Sequence, residues 1–142
     1  MSQWTHVLGV VRYDSINLNV WPEPLNKKGL CESELNIIEQ FFSEDIPSGS
    51  EGPLQVDFVL TYRGPTILIT GDLRDFGHED VGLIVDWLND RDKEMQLAIK
   101  KNSLLFVRDA SIQCDVEGDK TLYLIKENHV SDEPFVLREY HE

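Results

Sequence analysis

LQVDFVLTYRGPTILITGDLRDFGHED, residues Leu54–Asp80, is the stretch on which the fold turns. Leu54, Val56, Phe58, Leu60 and Tyr62 recur at every second position, the period of a strand with one buried face. Arg63-Gly64-Pro65 turns the chain and Thr66–Thr70 returns it, so the two runs predict a hairpin. The period then changes. Val81, Ile84, Val85 and Leu88 fall at i, i+3, i+4 and i+7, which predicts a helix starting near Gly77. Glu79 and Asp80 then sit in its first turn, where the helix dipole favours negative charge.

Working outward, WTHVLGVVRY (residues 4–13) reads as a strand with apolar residues in both alternating sets, and hence as a central one. Residues 14–31 form a long connection, with a short strand expected from Ile16 to Val20. Ser33 reads as an N-cap for a helix whose apolar face carries Leu35, Ile38 and Phe42, flanked by Ile37 and Phe41 and stopping before Pro47. PSGSEGP (Pro47–Pro53) reads as an ordinary turn-rich loop, because no Gly-Lys-Ser/Thr follows to make it a phosphate loop. Residues 90–102 are polar and carry no clear period. Phe106, Arg108, Ala110, Ile112, Cys114 and Val116 alternate as a strand, Gly118-Asp119 turns, and Thr121–Lys126 pairs back. From about residue 127 a polar, acidic tail is expected, anchored only by Phe135-Val136-Leu137.

The order is β-α-β-β-α-β-β. Its first six elements predict an α+β domain of the ferredoxin-like split βαβ kind, covering residues 1–142 as a single unit. In that arrangement the sheet is antiparallel with both helices on one face, and the fifth, extra C-terminal strand would extend it or replace part of the tail's packing. Within it, the strands Trp4–Tyr13 and Thr66–Leu73 are expected to be parallel neighbours. That arrangement would bring Arg12 and Asp14 to Asp72, Arg74 and Asp75, with Arg108 returning to the same sheet edge.

Charge narrows the function. Twenty-six Asp and Glu against 13 Lys and Arg give a net charge of −13. A field of that sign repels nucleic acid and anionic membranes and favours basic partners. The N-terminal residues lack the pattern of a signal peptide, no apolar run is long enough to span a bilayer, and Cys31 and Cys114 read as reduced thiols. Together these predict a cytoplasmic protein. Arg12, Arg74 and Arg108 form a tentative ligand site for a small nucleotide-like anion, since guanidinium forks grip phosphate and carboxylate. The same arginines, paired with neighbouring aspartates, would equally make a structural ion-pair network. Asp72, Asp75, Glu79, Asp80 and Trp87 are the candidate partner-binding residues, with Trp87 expected to be partly exposed.

No catalytic constellation emerges. Asp72, Asp75 and His78 lack EF-hand spacing, and no H-E-x-x-H motif or cysteine partner supports zinc, so no metal or other cofactor is expected. Helix capping accounts better for Gly77–Asp80. A small metal-dependent hydrolase using the Asp72–Asp80 carboxylates ranks third among the readings. His6 is expected to be a hydrogen-bonded histidine on a sheet face, with no nucleophile motif beside it. An exposed sheet edge would permit a homodimer.

WTHVLGVVRYDS (Trp4–Ser15), PSGSEGP and GDLRDF (Gly71–Phe76) together resemble small acidic proteins encoded by bacteriophages. The resemblance implies an accessory role, as a host-directed inhibitor or anti-defence protein in the host cytoplasm. Small acidic immunity proteins that neutralise basic toxins are similar in size and charge. The expected function is therefore non-enzymatic binding of a basic protein through an acidic surface.

Overall fold

The computed structural model describes residues 3–16, 27–61, 64–99, 104–118, 121–127 and 136–139. Strand β1 (Trp4–Ile16) is followed by α1 (Lys27–Phe42). Two two-residue strands come next, β2 (Ser48–Gly49) and β3 (Gly52–Pro53), and then the hairpin β4 (Gln55–Thr61) and β5 (Gly64–Arg74). A single 3-10 turn (His78–Asp80) leads into α2 (Val81–Ile99). Strands β6 (Leu104–Val116), β7 (Thr121–Glu127) and β8 (Val136–Glu139) follow. The molecule is an α+β protein built on one antiparallel sheet of order β4-β5-β1-β6-β7-β8, with β2 and β3 pairing apart from it.

Both helices cover one face of this sheet, α1 over β4 and β5 and α2 over β6 and β8, and they pack against each other. Period-two alternation supplies the inward residues. Val7, Val11 and Tyr13 come from β1, Ile67, Ile69 and Leu73 from β5, and Val107, Ala110, Ile112 and Cys114 from β6. They meet Ile38 and Phe42 of α1 and Ile84, Leu88 and Met95 of α2. Burying each large aliphatic side chain contributes roughly 1.5–3 kcal/mol, so this layer carries most of the fold's stabilisation. Tyr13, Phe42 and Trp87 link sheet and helices through edge-to-face ring contacts, with centroids 6.0 and 5.9 Å apart.

Several expectations need correction. Strands β1 and β5 are antiparallel, with Trp4 opposite Arg74 and Arg12 opposite Thr66. The reason is topological: β5 folds back from β4 and inserts between β4 and β1, so it opposes both of them. Helix α1 begins at Lys27, so Ser33 lies inside it rather than capping it. Helix α2 runs through the polar stretch to Ile99, held by the fully buried Met95 one heptad beyond Leu88. The acidic tail contributes a sixth strand, β8, paired to β7. The strand expected over Ile16–Val20 is described only as far as Ile16, where β1 ends, and the rest lies outside the described residues.

The PSGSEGP segment is tighter than a loop. Leu54 N–H donates to the Pro47 carbonyl (2.9 Å), and Ser50 N–H donates to the Arg74 carbonyl (2.9 Å). A side chain at Gly49 would meet that Arg74 oxygen at 2.5 Å, so glycine lets the small hairpin lie flat on the end of β5.

Candidate functional site

The antiparallel register disperses the expected arginine cluster. Arg12 and Arg74 are separated by eight positions along β5, about 26 Å at 3.3 Å per residue. Arg108 is the extra residue of a bulge, since Arg12 opposes Asp109 and Tyr13 opposes Val107. It therefore shares the Arg12 end of the sheet, not the Arg74 end. Arg12 pairs with Asp109 at 2.9 Å and Arg74 with Glu51 at 2.6 Å. Two of the three guanidiniums thus already hold carboxylates.

The segment Gly71–Asp80 is a strand end and helix entry. Ser50 Oγ donates to Asp75 Oδ2 (2.7 Å), and Asp75 takes a left-handed backbone with φ of 57°. The buried Thr5 hydroxyl donates to the Phe76 carbonyl, and Gly77 N–H donates to Asp80 Oδ2 (2.8 Å) in a helix-entry box. Glu79 is exposed beside it. Asp72, Asp75, Glu79 and Asp80 therefore do not form one patch: Asp80 is used in capping, Asp75 in a loop bond and Asp72 on the sheet. Among the described residues no group of three or more His, Cys, Asp or Glu is placed to hold a metal ion.

Trp87 is buried, not partly exposed. Only 4% of it is accessible, it packs edge-on against Phe42, and its indole N–H donates to the Glu44 carbonyl (2.8 Å). Its place among the helix positions facing α1 outweighs the polar neighbours that made it look marginal.

The sheet face opposite the helices is where exposed groups converge. Trp4, His6, Leu8, Val10 and Arg12 of β1 alternate onto it, with Leu68, Thr70 and Asp72 of β5 beside them. His6 lies between two carboxylates, Nδ1 at 2.5 Å from Asp72 Oδ1 and Nε2 at 2.7 Å from Glu117 Oε1. These hydrogen bonds, Asp72 first and Glu117 second, hold the imidazole above its ordinary pKa of 6.5, against a smaller desolvation effect. The expected hydrogen-bonded histidine on a sheet face is thus found, with partners 66 and 111 residues away.

Below His6 the face turns apolar. Leu8 is 67% exposed and Leu68 is 38% exposed, and Val10 pairs across to Leu68. Carboxylates flank this patch. Asp57 sits opposite Leu68 on β4, Asp115 opposite His6 on β6, and Asp72 and Glu117 stand at one end. Among the described residues no histidine or cysteine on this face is paired with a serine or threonine hydroxyl; Thr121 donates to Asp115 at 3.3 Å as an ordinary cross-strand bond. The face offers hydrophobic contact flanked by carboxylates on one edge and at the His6 end, with the Arg12–Asp109 ion pair at the other end, which is chemistry for binding.

Comparison with protein-family models, with curated proteins and with solved structures returned no match to this chain. No helix among the described residues is long and apolar enough to cross a membrane.

Proposed function

We propose that this chain is a non-enzymatic binding protein that engages a basic protein partner through the acidic, open face of its sheet. The observation that carries the reading is the patch of exposed Leu8 and Leu68 with half-buried Val10, flanked by Asp57, Asp72, Asp115 and Glu117. An apolar centre with a charged rim is the general anatomy of a recognition surface. The net charge of −13 speeds encounter with a basic partner, and the patch holds it once there. The mechanism is occlusion: the acidic face covers a basic groove that the partner uses for nucleic acid or catalysis.

The order β4-β5-β1-β6 supports assigning the first six elements to the ferredoxin-like pattern, with β7 and β8 as an extension. The resemblance to small acidic phage proteins supports an accessory or inhibitory role in a host cytoplasm. The arginine-site alternative loses its geometric basis, since Arg12 and Arg74 lie at opposite ends of β5's pairing with β1 and each holds a carboxylate.

The test is affinity capture from bacterial lysate with wild type and with Leu8→Ser/Leu68→Ser. Both side chains are exposed, so the variant keeps its core. The reading expects a basic protein, or a small set of them, bound by wild type and lost from the variant. An identical captured set with both proteins, or capture of acidic proteins only, would refute it.

A further inference from the structure

A second surface lies in the helical layer, on the far side of the sheet from the open face. An open groove of about 440 Å³ runs between α2 and the segment that follows α1. One wall is Asp45, Ile46 and Pro47, and the other is the α2 ridge of Leu83, Asp86 and Asp90, with Trp87 at its base. Leu83, Asp86 and Asp90 share one helix face at i, i+3 and i+7, so the ridge presents an apolar group and two acids within about 10.5 Å. Leu83 is 53% exposed, so its side chain is open to an occupant of the groove.

The groove is held open by its own bonds. Trp87 ties the loop to α2 through the Glu44 carbonyl. Arg91, only 14% exposed at its side chain, reaches Glu44 at 2.9 Å and Asp45 at 3.7 Å. That pins the loop and occupies Arg91, the one cation among the described residues lining the groove. Asp86 and Asp90 form no ion pair among the described residues. A preformed apolar slot lined by unpaired carboxylates selects a cationic, amphipathic occupant, and it spares that occupant the entropic cost of ordering the site. A second copy of the chain is a poor candidate, because it would bring a net charge of −13 against these same acids.

We propose that this groove docks a short basic segment of a protein partner. One apolar side chain of the segment rests on Leu83 and Ile46, and neighbouring lysines or arginines reach Asp86 and Asp90. This proposal is independent of the open sheet face, which variants at Leu8 and Leu68 report separately.

The probe is an end-blocked octapeptide of alternating lysine and leucine, compared with one of alternating lysine and serine that has the same charge. Binding is followed by two-dimensional NMR. The three tryptophans give three indole N–H signals, of which Trp87 marks the groove and Trp4 the sheet face. The lysine–leucine peptide is expected to shift the Trp87 indole and the amides of Leu83, Asp86 and Asp90 saturably. Its affinity should exceed that of the lysine–serine peptide by about tenfold, as one gained apolar contact implies. Leu83→Ser should lower the affinity by about the same factor, and Asp86→Asn/Asp90→Asn should do so without touching an apolar group. Equal affinity for both peptides, or unchanged binding by both variants, would overturn the proposal. So would shifts confined to the Trp4 side, or groove shifts that follow protein concentration without peptide, which would identify a second copy as the occupant.

Discussion

Replacing Gly9 by alanine tests the packing of the central strand pair. Gly9 sits on the helix-facing side of β1, directly opposite Ile112 of β6. A methyl group there would lie 2.5 Å from Ile112 Cγ1 and 2.9 Å from its Cβ and Cγ2. Two effects compete. Alanine restricts the unfolded chain, which stabilises by about 0.4–1 kcal/mol where the backbone accepts it. Overpacking a filled core costs about 1–3 kcal/mol. The second effect should win here, because Ile112 is fully buried and its Cβ branch leaves χ1 few alternatives for moving aside. Gly9→Ala should therefore lose about 1–2 kcal/mol in urea denaturation with an unchanged slope. Ile112→Ala alone should lose about 2–5 kcal/mol through the cavity it leaves. The double variant should be more stable than the sum of the two losses predicts, by about 0.5 kcal/mol or more, because each change relieves the other. A Gly9→Ala protein as stable as wild type, or strictly additive losses, would refute this account of the β1–β6 contact.

Other consequences follow from single groups. The raised pKa of His6 means that its bonds to Asp72 and Glu117 stabilise the fold fully below pH 6.5 and less as pH rises through the higher folded value. The stability gap between wild type and His6→Gln should therefore shrink from mildly acidic to alkaline pH, as denaturant titrations at several pH values would show. Burial, reinforced by Asp92, pushes the Tyr13 hydroxyl well above its ordinary pKa, and that hydroxyl donates to Asp92 at 2.7 Å. Tyr13→Phe should cost about 1.5–3 kcal/mol, the usual worth of a hydrogen bond to a charged group, measured by thermal or urea unfolding. The Cys114 thiol is buried and pushed up to about 12, so thiol reagents should modify it only as fast as the domain opens.

The hairpin Leu54–Arg74 and the α2 stripe were readable because each buries one face, and burial imposes its period on the residue pattern. Leu54, Ile84 and Leu88 are buried and Val56 and Phe58 half-buried where the periods placed them. Strand direction was not readable, since a period of two is the same in parallel and antiparallel pairs. The misplaced arginine cluster followed from that one choice. Helix α2 outran its visible stripe because between 89 and 98 only Met95 is fully buried, with Asn89, Arg91, Asp92 and Gln96 half-buried and the rest exposed. Strand β8 was missed because four residues carry too little alternation to stand out from a polar tail. The His6 clamp joins residues on three strands, and nothing local announces it. The groove was hidden for the same reason, since a loop after α1 supplies half of it.

Calorimetric affinities decide whether an acidic sheet face with an apolar centre binds a basic partner. The captured partner would be titrated into wild type and Leu8→Ser/Leu68→Ser at about 0.1 M and about 1 M salt, where the screening length falls from about 10 to about 3 Å. Salt should weaken wild-type binding, and the double substitution should weaken it further at both salts, by about tenfold or more for two lost apolar contacts. Affinity that is indifferent to salt, or equal for the two proteins, would contradict binding by that face.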